Sequence, residues 1–176
     1  MKAKIIFFSF IFLAFPFSSM GKIFTLKEGK INLDVPETWQ EAEHLFGLEL
    51  MILGPSKLNR RPVLSLDSTA FEWSFDSKKL KANEEQYKVG REAWLKNKNG
   101  KSFEFYPYEY KKISSYLERH SLGYTYEFAD EVFEEKSYFL KCRNKLFHLK
   151  TLTLKKEETA QKLVLEKMIN SFDCKA

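Results

Sequence analysis

The sequence is short of the residues that build chemical sites. It holds three histidines and two cysteines in 176 residues. A zinc-type cluster needs three or four such ligands close together, and no His–Cys grouping occurs. No CxxC redox pair is present. No GxSxG turn offers a serine nucleophile, and no Walker or Rossmann glycine pattern could cradle a phosphate. No cofactor is expected. Seven glycines and five prolines leave no linker to divide the chain, and no repeat is visible. The excess of basic over acidic residues is small. The net value is +5, with basic and acidic residues interspersed, as in Lys155–Glu158. A basic stripe that would neutralise phosphates is missing, so nucleic acid is not an expected partner.

What is present begins at the N-terminus. Lys2 and Lys4 precede an apolar run, Ile5–Phe17, broken near its exit by Pro16. The run is about 13 residues, the length of a signal-peptide core, whereas a membrane-spanning helix needs roughly 20. Ser19 and Gly21 suit a cut before Lys22. Residues 1–21 are therefore expected to be a signal peptide and 22–176 a single exported domain, in the periplasm or outside the cell. An uncleaved N-terminal anchor is the rival. No cysteine follows the run, which argues against a lipoprotein. Removing Lys2 and Lys4 lowers the charge to about +3, a mild value for a soluble, monomeric domain.

Hydrophobic periodicity supplies the elements. Ile31, Leu33 and Val35 alternate with polar residues and predict a strand that Pro36 stops. Leu48–Leu53 reads as a strand covered on both sides and Val63–Leu66 as another. Gln40–Leu45 reads as a possible short helix. A long helix is expected over Ser77–Lys98, its inner face set by Leu80, Tyr87 and Trp94 with Val89 and Ala93 beside them. Asn99-Gly100 should end it, with Gly100 as the left-handed residue. Strands follow at Ser102–Tyr106, Tyr116–Phe128, Val132–Cys142 and Lys145–Leu154. Leu122, Tyr124, Tyr126 and Phe128 share one face, and the short link at Asp130-Glu131 predicts a hairpin. The last helix, Glu157–Phe172, carries Ala160, Val164, Met168 and Phe172, widened by Leu163, Leu165 and Ile169. This order predicts an α+β fold, a mainly antiparallel sheet packed by a long central helix and a C-terminal helix.

The segment Ile31–Trp39, INLDVPETW, has a strand, a proline turn and a tryptophan. Leu50–Pro55 is a strand ending in a proline turn, and Met168–Phe172 closes the last helix as MINSF. In these segments and in element order the chain resembles the PsbP-like fold superfamily, particularly its small bacterial exported members. The resemblance implies a layered sandwich, with Pro36 setting a turn and Trp39 plugging the sheet. It implies no catalytic or ligand residue, and the functions of such proteins diverge.

The remaining candidates are few. His44, His120 and His148 are isolated from one another in sequence and read as structural. Glu84-Glu85 and Glu134-Glu135 are adjacent pairs whose members point apart, so neither makes an acid–base dyad. Cys142 and Cys174 form an even count in an exported chain and are expected to be disulfide-bonded. The aromatic run Phe103–Tyr110 stands out. Strict alternation puts Phe103 and Phe105 on a core face and Tyr106, Tyr108 and Tyr110 with Glu104 on the other, a possible partner contact. The function expected is a non-enzymatic binding or accessory domain of the cell envelope. Its partner would be an envelope protein or a small ligand. A small-ligand or lipid carrier, or an enzyme whose site forms only in space, are the alternatives.

Overall fold

The expected alternation around Ile31 becomes one strand of a small sheet in a computed structural model that describes residues 19–56, 60–68, 80–156 and 159–174. Elements run β1 (Ser19–Leu26), β2 (Gly29–Pro36), β3 (Gln40–Glu43), β4 (Leu50–Leu53), β5 (Val63–Asp67) and α1 (Leu80–Asn97). They continue β6 (Lys101–Lys112), β7 (Leu117–Phe128), β8 (Glu131–Cys142), β9 (Lys145–Leu154), α2 (Thr159–Ser171) and β10 (Asp173–Cys174). The small sheet has the order β1-β2-β10, and the large sheet β3-β4-β5-β9-β8-β7-β6. All neighbouring strands pair antiparallel. The apolar run Ile5–Phe17 lies outside the described residues. Strand β1 starts at Ser19, and Ser19–Gly21 pair with Asp34–Pro36.

Two cores flank the large sheet. The first buries Ile31, Leu33 and Val35 of β2 against Leu50, Ile52, Leu64, Leu66 and Leu149, with Leu165, Met168, Ile169 and Phe172 closing it. The second, on the opposite face, is aromatic. Tyr87 and Leu95 of α1 cover Leu122, Tyr124, Tyr126 and Phe139. Tyr87 meets Tyr124 edge-on at 6.0 Å, and Phe105 stacks on Tyr124 at 5.4 Å. Offset and edge-on ring pairs of this kind add to their area burial.

Local chemistry explains most boundaries. The β7–β8 hairpin turns on Ala129 and Asp130, both at positive φ, as a two-residue type I′ turn requires. Trp39 donates its backbone N–H to the Pro36 carbonyl at 2.9 Å, so the proline turn folds the indole inward, where it is 5% exposed. Gly54 makes room for it. A Cβ there would stand 2.5 Å from the Pro62 ring and 2.9 Å from the Trp39 ring. Gly54→Ala is therefore expected to cost about 1–3 kcal/mol by overpacking, read as a lowered urea midpoint. An unchanged midpoint would contradict this packing. Glu49 is buried, and burial alone would raise its carboxyl. The Ser68 hydroxyl and N–H and the Lys27 N–H outweigh that and hold it below its ordinary range.

Several sequence expectations are corrected. Gln40–Glu43 is strand β3, because it pairs in register with Leu50–Leu53. Asn99, and not Gly100, takes the left-handed conformation at φ 57. Asn99 N–H returns to the Lys96 carbonyl and Gly100 N–H to Leu95 at 2.8 Å, a Schellman close. On α1, Val89 faces solvent while Leu95 is buried, so the inner face follows Tyr87, Arg91, Trp94 and Leu95. Residues 77–79 of the expected helix lie outside the described residues. On α2, Ala160 and Leu163 are exposed and Gln161 turns inward. Met51 and Leu53 are half-buried, so β4 is fully covered on one face and not on both.

Candidate functional site

Strand β6 carries the aromatic run, and at 12 residues it is more than twice as long as Ser102–Tyr106 predicted. Its pairing with β7 shifts between Ser102 and Glu104, and again between Tyr106 and Glu109. Each shift inserts one extra residue and reverses the alternation. Pro107, which cannot donate to a ladder, sits in the second. The three tyrosines therefore do not share a face. Tyr108 and Tyr110 turn to the aromatic-core side, where they flank buried His120: the Tyr108 hydroxyl bonds its Nδ1, and the Tyr110 ring lies 5.0 Å away. Phe103, expected in the core, is 49% exposed at the first shift.

Tyr106 faces the other way, into an open cleft of about 530 Å³ between the β6–β8 end of the sheet and α2. Its walls come from Tyr106, Pro107 and Glu109 of β6, Arg119 and Ser121 of β7, and Glu134, Lys136 and Tyr138 of β8, with Glu166, Ile169 and Asn170 of α2. Antiparallel pairing places Tyr106, Gly123 and Lys136 in one row, and Glu109, Ser121 and Tyr138 in the next. Gly123 is buried, and the Tyr106 ring and the Lys136 stem close over it. A Cβ there would be 2.8 Å from the Tyr106 ring and 2.8 Å from the Glu135 carbonyl oxygen.

The charges in this cleft are interlocked. Glu134 pairs with Lys162 at 2.8 Å and Lys136 at 3.2 Å. Burial would raise its carboxyl, but the two lysines outweigh that and hold it below its ordinary range. Arg119 donates to the Asn170 side-chain oxygen at 2.8 Å and stands 5.9 Å over the Tyr138 ring. Lys136 stands 5.5 Å over the Tyr106 ring. Burial, helped by Glu134 and Glu104, pushes the Tyr106 hydroxyl up to about 12. Burial, opposed by Arg119 and helped by Glu166, Glu134 and Glu109, does the same for Tyr138. Both hydroxyls stay protonated near neutral pH and are hydrogen-bonding groups.

A smaller groove of about 360 Å³ lies beneath α1 on the other face, lined by Gln86, Tyr87, Gly90, Arg91, Trp94, Ser137, Phe139 and His148. His148 stacks on Phe139 at 4.5 Å, nearly parallel. Burial, with Lys150 and Arg91 nearby, lowers it to about 4. A histidine so depressed binds its proton more readily in the unfolded chain. Stability is then lost as pH falls from about 6.5 to 4, by on the order of 2–3 kcal/mol. His148→Phe should flatten that slope in denaturation curves taken across this range. An unchanged slope would contradict a neutral, buried imidazole. His44, at the β3–β4 turn, is exposed and has positive φ. Cys142 and Cys174 are bonded, with Cα atoms 6.5 Å apart, tying the end of β8 to β10. Among the described residues, no group of three or more His, Cys, Asp or Glu could hold a metal ion. Among them also, no helix is long and apolar enough to cross a membrane.

Solved structures share this layered arrangement. A cyanobacterial PsbP, CyanoP from Synechocystis, superposes with a TM-score of 0.61 at 12% identity, over 90% of this chain and 94% of its own. This is a PsbP-like fold. LpqN from Mycobacterium tuberculosis, described as involved in cell envelope biogenesis, matches with a TM-score of 0.56 at 14% identity over 83% of each chain. A Bacteroides thetaiotaomicron protein matches at 0.53 and 12% identity, covering 89% of this chain and 49% of that one. No family model matches the chain, and no curated protein matches it by sequence. At such identities the PsbP-like likeness concerns the fold alone.

Sequence reasoning placed Tyr106 among the contact residues and missed its neighbours. Arg119, Lys136, Tyr138 and Glu166 meet only through strand pairing and the docking of α2. Pro107 was the available signal, since a proline inside a strand pattern marks a bulge.

Proposed function

We propose that this PsbP-like chain is an exported, non-enzymatic binding or accessory domain of the cell envelope, and that its partner sits in the cleft beside α2. The observation that carries this reading is the cleft itself: open, of small-ligand size, and walled by interlocked charges and two protonated tyrosines. Such groups recognise; Glu134, held ionised by two lysines, is poorly suited to donate a proton. Export is supported by the run Ile5–Phe17 and by the Cys142–Cys174 bond. The naming of LpqN for envelope biogenesis points the same way.

Cleavage before Lys22 leaves Lys22–Leu26 of β1 paired to β2. The intact mass of protein from the native compartment should correspond to a chain starting at Lys22. A mass retaining residues 1–17 would reject cleavage.

The binding role is tested by retention of envelope components on the immobilised mature chain. Wild type is compared with Arg119→Glu, in the cleft, and Val89→Glu, on the exposed face of α1. A component retained by wild type and Val89→Glu but lost from Arg119→Glu supports the proposal. Equal retention by all three overturns it.

A further inference from the structure

Resting on the assignment of this cleft as the binding face, we infer that its ligand is a neutral saccharide of one or two rings. Charge complementarity argues first. Glu134 is taken by Lys136 and Lys162, and Arg119 by Asn170. An anion entering the cleft meets Glu109, Glu134 and Glu166. A cation meets Arg119 and Lys136, and finds that each tyrosine ring already faces one of them. An anion competes with these carboxylates for Arg119 and Lys136, and a cation that reaches Glu109 or Glu166 is opposed by Arg119 and Lys136 beside them.

A neutral polyol meets no such cost. Each sugar hydroxyl both donates and accepts, and the lining offers both roles side by side. The Glu109 and Glu166 carboxylates accept, and a hydroxyl donating to an ionised carboxylate makes one of the stronger hydrogen bonds. Arg119, Lys136 and the Asn170 amide donate. Pro107, exposed on the cleft wall, gives an apolar patch for the C–H face of a ring. The volume of about 530 Å³ lies within the usual span for small-ligand sites, about 300–1,000 Å³.

The test is a titration of the isotope-labelled mature chain, followed by backbone amide shifts. Maltose, cellobiose and N,N′-diacetylchitobiose are the neutral probes; trilysine and triglutamate are the charged ones. Expected is a saturable shift with at least one disaccharide, centred on Ser121, Gly123 and Lys136. Combined Asn170→Ala and Glu166→Gln should weaken it about tenfold. Both residues are on the exposed side of α2, so the melting temperature reports whether the variant is folded. No saturable shift with any disaccharide in the millimolar range overturns the inference. So do tighter binding of a charged tripeptide, or shifts centred elsewhere. If the sugars fail while Arg119→Glu still loses an envelope component, the ligand class is wrong and the binding role stands. If both fail, the cleft is not a binding site.

Discussion

Replacing both cysteines, as Cys142→Ala with Cys174→Ala, is expected to lower stability by about 3–4 kcal/mol. The bond closes a stretch between residues 32 apart in sequence, which contains β9 and α2. Without it the unfolded chain regains the freedom of that loop. In the folded chain the bond ties the end of β8 to β10. Among the described residues, β10 pairs through Asp173 and Cys174 with Asn32 and Ile31 of β2, and the Tyr116 hydroxyl donates to the Asp173 carboxylate at 3.0 Å. Alanine is the right replacement at Cys142, which belongs to the main core and is 4% exposed; serine would bury a hydroxyl there. Urea unfolding of wild type, with and without reductant, is the check. Loss of less than about 1 kcal/mol in both the reduced wild type and the double variant would show that the bond contributes little.

The second large effect lies on the opposite face. Glu135 is 4% exposed beneath α1, and Arg91 reaches it at 3.6 Å. Tyr87, Tyr124 and Tyr126 close around the pair, and burial together with the Glu135 charge drives their hydroxyls above the ordinary tyrosine range. Arg91→Leu removes the cation and leaves a buried carboxylate. That should cost about 3 kcal/mol, near the lower end for broken buried pairs because Arg91 is itself partly exposed. Adding Glu135→Leu to Arg91→Leu should recover most of the loss, since the penalty comes from the orphaned charge and not from missing attraction. Additive losses in the double variant would contradict this. Among the described side chains, Tyr87 and Leu95 are the apolar ones that α1 buries, so the pair also bears on whether α1 stays docked.

Much of the fold was legible where one face is buried and regular. Ile31, Leu33 and Val35, and Leu122, Tyr124 and Tyr126, are buried as their alternation says, because strict period two holds across an uninterrupted ladder. The final helix was legible from its own 3.6-residue apolar stripe, though Leu163 shows that an apolar residue beside the stripe need not join it. The cysteine pairing was legible from an even count together with the expectation of export. The candidate site was not. Its tyrosine face failed because the register shift between Tyr106 and Glu109 inserts a residue, and no propensity marks that except Pro107. Its charged residues are unreadable locally, because Arg119, Lys136 and Glu166 become neighbours only when β7, β8 and α2 assemble. Trp39 lies between these cases. A proline turn followed by tryptophan suggested a plug, and the burial of its indole against Gly54 and Pro62 supplies the reason.

The most direct test of the cleft as the binding face is a photocrosslinking side chain placed at Tyr106 in the living cell, with the same group at Val89 as the control. Tyr106 lines the cleft, and Val89 is 61% exposed on the opposite helix. Illumination is expected to yield a discrete envelope adduct from position 106 and none from position 89. Adducts of equal yield from both positions, or an adduct from position 89 alone, would contradict it.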